Sequence, residues 1–320
     1  MSTHRPDGSP LTHDELLIDV ARRYYFSNES KVEIATTLGL SRFKVARMLE
    51  EAVHRGAVRI TLHRPTTRAS ELSVRLKQRY GLNHAVVVPT EQRTEPEVRR
   101  LLGDAGARLL TTLLAEGDVL GVSWGRTIKA LAEATVSLPR VPVVQLSGIA
   151  GNPGENSMEL VRILSSITKD DAFPLYTPLL VPDAATARSL RHSPGVAEAF
   201  DRFRSVSVAV VAVGSWNPAN SQLRTFFSTQ DQAALTAMGL QAETGGILLD
   251  AEGREIDSPV VERIMGISSV ELRAVPTVVA VAGHVTKAKA IRSVLLAGIA
   301  NALVTDEAVA RLLLQEDPLI

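Results

Sequence analysis

Three stretches of this 320-residue chain carry residue types suited to gripping an anionic, hydroxyl-bearing small molecule. The first is GVSWGRT, Gly121–Thr127, where an apolar run ends in a glycine-bearing turn that opens a helical pattern. Gly125 lets backbone amides approach an anion, Ser123 and Thr127 add hydroxyl donors, and the helix N-terminus adds a favourable dipole. The P-loop spacing is missing, since no Gly-Lys-Ser/Thr comes after it, and a routine strand-to-helix turn fits the same residues. The second stretch, VAVAGHVTKAKAI (Val279–Ile291), puts Lys287 in the first turn of a helix. The helix dipole disfavours a cation there, so an anion sharing the site gives the lysine a reason; an exposed lysine reaching solvent is the plain alternative. The third, QLSGIAGNPGEN (Gln145–Asn156), is a polar, glycine-rich loop after a core strand. Gln145 and Asn156 have amides for sugar hydroxyls, although such a loop also serves simply as a turn. Glu243, ahead of GGILLDAEG, and Arg224 are further polar candidates that periodicity does not place.

The elements that must position these residues are legible from Asn83 onward. Short apolar, β-branched runs recur at Ala85–Pro89, Val119–Ser123, Val141–Gly148, Val206–Gly214, Thr277–Gly283 and Asn301–Asp306. Helical patterns lie between most of them, at Glu95–Ala115, Arg126–Val136, Glu155–Thr168, Gln230–Met238, Lys287–Leu296 and Asp306–Leu314. Strands apolar throughout are buried on both faces, and interleaving with helices predicts an α/β fold with a doubly wound, mostly parallel sheet. Ligands in such sheets bind at the carboxyl ends of the strands, where the three stretches fall.

The amino-terminal part reads differently. Lys31 to Arg47, KVEIATTLGLSRFKVAR, has the spacing of two short helices joined by a tight turn. Ala35 is small at the helix crossing, Gly39 suits a positive φ, and Val45 returns an apolar side chain to the interface. Val32, Ile34, Leu38 and Leu40 are expected to face inward, and Ser41 to cap the second helix. Arg42, Lys44 and Arg47 fall on or near its exposed face, within reach of phosphates or guanine edges. Between Ser41 and Arg64 six Lys or Arg residues meet two acids, whereas from Met1 to Leu40 four basic residues meet six acidic ones. The positive charge is thus local to the second helix and the segment after it, which favours DNA contact; a solvated basic helix is the bland alternative. Asp14–Phe26 is a preceding helix, Ala57–His63 alternates like the strand of a wing placing Arg59 and Arg64 near a backbone, and Thr67–Tyr80 is an amphipathic connecting helix. The expected division is a winged helix-turn-helix at 1–64, a linker helix at 65–82 and an effector domain at 83–320.

Composition sets the bounds. Lys plus Arg and Asp plus Glu both number 35, so a whole-chain electrostatic case for nucleic acid fails and only the local patch supports one. Cysteine is absent, which removes disulfides, thiolate catalysis and thiolate zinc sites. The opening MSTHRPDGSP lacks an apolar signal core and no run approaches transmembrane length, so no membrane partner and a cytoplasmic location are expected.

On SKVEIATTLGLSRFKVARMLEEAVHRGAV, GVSWGRT, VVQLSG, NSMEL, AVAG followed by Lys287, and ALVTDEAVARLLL, the chain resembles the SorC family of sugar-binding bacterial transcriptional regulators over roughly Asp14 to Leu314. The resemblance implies a homo-oligomer, a dimer or tetramer, that binds operator DNA and answers to a small phosphorylated sugar effector without catalysis or cofactor. It also implies an effector domain similar in fold to glucosamine-6-phosphate deaminases and ribose-5-phosphate isomerases. Carried over by position, it implies that Ser123, Gly125, Arg126 and Thr127 hold the phosphate, with Gly121 and Trp124 of the same loop among the effector-binding residues, and that Lys287 balances its charge. Asn156 and Glu243, with Arg224 as a further match, then meet the sugar, and Gln145 joins the effector-binding set on the strength of its own amide. Ser41, Arg42, Phe43, Lys44, Arg47 and Arg59 face DNA. Two departures stand out: Gly283-His284 replaces a glycine pair, and NSMEL replaces NANEL. His284 either points into the pocket or fills a turn, with the turn preferred. The competing reading is a sugar-phosphate isomerase or deaminase carrying a DNA-binding module, with Glu243, Lys287 and His284 in proton transfer. A helix-turn-helix used only for subunit contact is a third.

Overall fold

The computed structural model describes residues 12–27, 29–58, 67–90, 93–150 and 157–315. It divides into two compact units, Met1–Arg64 and Pro65–Ile320. None of the described helices is long and apolar enough to cross a membrane.

The described residues of the first unit form three helices, α1 (His13–Tyr25), α2 (Lys31–Leu38) and α3 (Arg42–His54). Leu17, Val20, Ile34, Ala35, Leu38, Val45, Met48 and Leu49 make its core. Gly39 ends α2 at φ 63°, ψ 32°, the left-handed conformation a tight inter-helix turn demands. The Ser41 hydroxyl accepts the Lys44 amide at 3.2 Å, satisfying one orphan donor of α3. Val32, expected to face inward, is instead 56% exposed. On α2 the residues three and four apart, Ile34, Ala35 and Leu38, already form the buried stripe, which leaves Val32 outside it. Arg59 and the expected wing strand to His63 lie outside the described residues, apart from Val58, which packs on this core.

The second unit opens with α4 (Thr67–Tyr80). This helix is no free connection. Leu72 and Leu76 are buried in the main core, and the Tyr80 hydroxyl donates to the Leu313 carbonyl at 3.1 Å. Next come β1 (His84–Val88), α5 (Glu95–Leu113), β2 (Leu120–Val122), α6 (Arg126–Ala134), β3 (Val143–Gln145), α7 (Ser157–Thr168), β4 (Ala172–Phe173), α8 (Ala184–Arg191) and α9 (Ala197–Arg202). After them the chain forms β5 (Val208–Val211), β6 (Gly214–Ser215), α10 (Thr229–Ala237), β7 (Ala242–Thr244) and β8 (Ile247–Leu249). The unit closes with α11 (Ser269–Ala274), β9 (Thr277–Val281), α12 (Ala288–Leu296), β10 (Ala302–Asp306) and α13 (Glu307–Gln315).

Seven strands form one sheet in the order β1-β10-β9-β5-β2-β3-β4. Every pairing is parallel, with Gly121 opposite Ala209 and Val144, and Val279 opposite Val210 and Ala302. Side chains alternate between two cores. Val144, Ala209, Val211, Val278, Ala280 and Leu303 meet α4, α12 and α13, while Val143, Val208, Val210, Val279, Val281 and Val304 meet α5, α6 and α7. Burial on both faces is why these strands carry no polar alternation. A smaller antiparallel sheet, β6-β7-β8, sits on a third cluster built around Trp124, Trp216, Phe227 and Leu248.

Ser41→Ala is expected to lower the stability of the first unit by about 1 kcal/mol in urea unfolding, and Ser41→Asp, which can still accept the Lys44 amide, to restore most of it.

Candidate functional site

The topology of the sheet places the candidate site. From β2 the chain steps outward to β3 and β4, then returns to β5 on the other side of β2 and continues through β9 to β10. At this reversal the loops leaving β2 and β5 diverge, and a cleft opens at the carboxyl ends. Its walls are Trp124–Thr127 after β2, Ala212–Gly214 after β5, Gly283, His284 and Lys287 after β9, and Glu95 and Arg99 from α5. Asn220, Gln222, Glu243 and Gly245 close it from the side of the small sheet.

Gly125 is the N-cap of α6 at φ 142°, and a β-carbon there would sit 2.6 Å from the Ala212 β-carbon, so only glycine lets the two loops meet. Arg126, the first residue of α6, donates to the Asn220 side-chain carbonyl. Lys287 is half-buried at the start of α12, and its ammonium donates to the Val213 carbonyl at 2.9 Å. Burial, reinforced by the Arg126 charge, lowers the Lys287 ammonium to about 8, with Glu243 and Glu95 pulling the other way. Glu243, on β7, is 6% exposed and accepts from the Ser221 hydroxyl at 2.9 Å. Burial pushes its carboxyl up to about 7, against the Ser221 hydrogen bond and the Lys287 charge. For both groups desolvation outweighs their attraction.

His284 fills a turn and also faces the cleft. Its φ is 79°, its amide donates to Asp306 Oδ2, and its Nδ1 lies 2.8 Å from the Thr286 hydroxyl. Asp306, buried at the end of β10, also accepts the Val309 amide at 2.9 Å, so one carboxylate ties the His284 turn to the start of α13.

Several sequence candidates stand elsewhere. Gly121 lies within β2, packed against Val206 and Leu146. The Ser123 hydroxyl accepts the Ala212 amide at 3.2 Å and donates to the Trp124 carbonyl at 3.3 Å, bracing the loop from beneath. Gln145 is fully buried, and its amide donates to Ser157 Oγ at 2.9 Å and to the Ser147 carbonyl. Arg224 lies over the Trp216 ring at 4.9 Å and donates to Gln232 at 3.1 Å. Those three side chains are thus spent on holding loops rather than on the cleft. Asn156 lies outside the described residues.

The sequence reading missed Glu95, Arg99 and Asn220. Arg99 donates to Glu95 at 2.7 Å. Burial works to raise the Glu95 carboxyl, but Arg99, with Arg126 and His284 behind it, holds it below the usual carboxylate range. The i, i+4 spacing was visible in the sequence; that the first turn of α5 faces this cleft was not. Among the described residues no group of three or more His, Asp or Glu gathers as a metal site.

In the first unit the cations differ in how they are engaged. Arg22 and Arg23 pair with Asp19 at 3.3 and 3.0 Å, and Arg55 pairs with Asp14 at 2.8 Å. Arg42, Lys44 and Arg47 of α3 are exposed and make no ion pair among the described residues, beside exposed Ser41 and Phe43. Unpaired cations on the amino-terminal end of the second helix of a helix-turn-helix form a surface suited to nucleic-acid phosphate.

Residues 64–315 match the family described as "Putative sugar-binding domain". The chain is 30% identical over 314 residues to the transcriptional regulator LsrR of Enterobacter sp. (strain 638), covering 96% of this chain and 95% of that one. It is 27% identical over 306 residues to the deoxyribonucleoside regulator of Bacillus subtilis (strain 168), covering 94% and 98%. In structure it is similar to the full-length sorbitol operon regulator SorC from Klebsiella pneumoniae, with a TM-score of 0.83 and 25% identity over 95% of this chain and all of that one. The helix-turn-helix, the parallel sheet with its cleft and these matches together establish that the chain belongs to the SorC family of sugar-binding transcriptional regulators.

Proposed function

We propose that this regulator binds operator DNA through Arg42, Lys44, Arg47 and the exposed start of α3, and that a phosphorylated sugar or sugar alcohol in the cleft controls that binding. It is a sugar-responsive regulator and not an enzyme, as its relatives are named. The phosphate assignment is carried by one observation: Lys287 and Arg126 stand at the N-termini of two helices that converge on the cleft, where each dipole disfavours a cation unless an anion joins it. The Gly125 amide and the Thr127 hydroxyl supply neutral donors beside them, and Glu243 offers an acceptor for sugar hydroxyls. Ser123, Gln145 and Arg224 then act by bracing the loops that carry these groups.

The effector controls DNA binding only by favouring one arrangement of subunits over another. A homo-oligomer, dimer or tetramer, presents two copies of α3 to the halves of a pseudo-palindrome. Effector phosphate at Trp124–Thr127 and Lys287 fixes the starts of α6 and α12, and helices packed on them carry the change to a subunit interface.

Replacing Arg47 with Ala is expected to weaken operator binding about fivefold or more in a mobility-shift titration, and Lys44→Ala to reduce the salt slope of binding by about one. Lys287→Ala is expected to keep effector-free operator affinity while the effector's dissociation constant, read from thermal shifts across a sugar-phosphate panel, rises about tenfold or more. In the parent chain, as pH rises through about 7 and then about 8, Glu243 gains a negative charge and Lys287 loses a positive one. The first change repels an anion and the second removes an attraction, so effector affinity falls across that window in titrations at fixed ionic strength. The same carboxyl affects stability: burial holds its proton more firmly in the folded chain, so its contribution is full below 4.5 and is lost as pH rises through about 7. Glu243→Gln is therefore expected to raise the thermal midpoint over the parent above neutral pH, with the advantage vanishing toward pH 4.5.

A further inference from the structure

Phosphate contacts hold a recognition helix on DNA but do not choose its sequence. The first turn of α3 carries a group that phosphates do not explain. Phe43, its second residue, is 82% exposed, although phenylalanine is among the side chains most often buried. Of the apolar residues beyond it on α3, Val45, Met48, Leu49 and Ala52 are buried and Ala46 is half-buried; Val53, exposed, lies at the far end of the helix. Phe43 belongs to the opposite stripe, sharing a face with Ala46, Arg47 and Glu50 at helical spacing. Arg42 and Lys44 flank it along the chain and Arg47 lies one turn on, all exposed and free of ion pairs among the described residues. An apolar centre with a cationic rim complements a groove whose walls are phosphates and whose floor is base edges. In helix-turn-helix docking it is the amino-terminal residues of the second helix that reach that floor. Thymine alone presents a methyl group in the major groove, and phenylalanine is one of the side chains that meets it.

We propose that Phe43 is a sequence-reading residue: its ring packs on the 5-methyl group of a thymine in each operator half-site, while Arg42, Lys44 and Arg47 hold the helix around it. This rests on the DNA-binding reading of the helix-turn-helix given above. The methyl contact displaces no counterions, so it sets base preference without changing the salt dependence.

The test uses the full chain and a duplex that it selects from a random library, with deoxyuridine replacing each thymine in turn. That exchange removes the methyl group and keeps every hydrogen-bonding group. The parent chain is expected to lose about fourfold or more at one position per half-site, the fold-change that burial of one methyl group corresponds to. Phe43→Ala binds the thymine and uracil duplexes equally, and Phe43→Leu, still apolar, keeps part of the preference. Because the ring is exposed, the thermal midpoints of both variants match the parent's, which separates lost readout from lost folding. An equal uracil penalty in the parent and Phe43→Ala, or no penalty at any position in the parent, overturns the proposal while leaving DNA binding intact. A parent chain that selects no duplex overturns this inference and the DNA-binding reading together.

Discussion

The sensor unit is governed by the direction of its strands. Seven parallel strands send all their carboxyl ends to one side of the sheet, and the chain reverses its order of addition between β2 and β5. Loops that would otherwise pack over one another are forced apart at that point. Trp124–Thr127, Ala212–Gly214 and Gly283–Lys287, far apart in sequence, become walls of one cleft because β2, β5 and β9 are neighbours in the sheet. The helices after β2 and β9 start at this rim and bring unsatisfied amides with them.

Charge inside the cleft is a consequence of that arrangement. Lys287 and Glu243 are held where water is scarce, and desolvation moves each toward neutrality. Neither is a favourable element of the fold alone, since the cost of desolvating each exceeds what the charge of the other returns. At the rim of the cleft, beside Arg126 and the Glu95–Arg99 pair, both groups fit the polar, anionic effector proposed above. The first unit shows the reverse: its structural arginines are neutralised by Asp14, Asp19 and Glu29, whereas those of α3 are left to solvent.

Much of this is readable from the chain before its fold is known, and the reasons differ by element. Six strands of the large sheet stand out because each lies within a mostly apolar run of five or more residues, buried on both faces. Of the remaining strands, β4 and β6 have two residues each, and β7 and β8 are separated by Gly245-Gly246 with Glu243 and Thr244 in the first, so no continuous apolar run marks them. Helix α4 looks like a connector from its amphipathic pattern, but which surface covers an apolar stripe is not encoded in the stripe. Val32 looks inward by type and faces solvent by helical phase. In GVSWGRT the residues from Trp124 to Thr127 line the cleft, while Gly121 is still within the strand and Ser123 turns beneath the loop. A strand's end shifts by a residue or two without changing its pattern.

The sequence by itself determined the α/β class, the helix-turn-helix with its Gly39 turn and Ser41 cap, and the placing of Gly125 and Lys287 at helix starts, because these depend on local conformational preference and side-chain period. Only the tertiary structure decided that Glu243 and Lys287 line one cleft, that Glu95, Arg99 and Asn220 join it, and that Gln145 and Arg224 turn away to brace loops. Those outcomes depend on strand order and on which backbone carbonyl lies within reach of a side chain, and no run of neighbouring residues carries either.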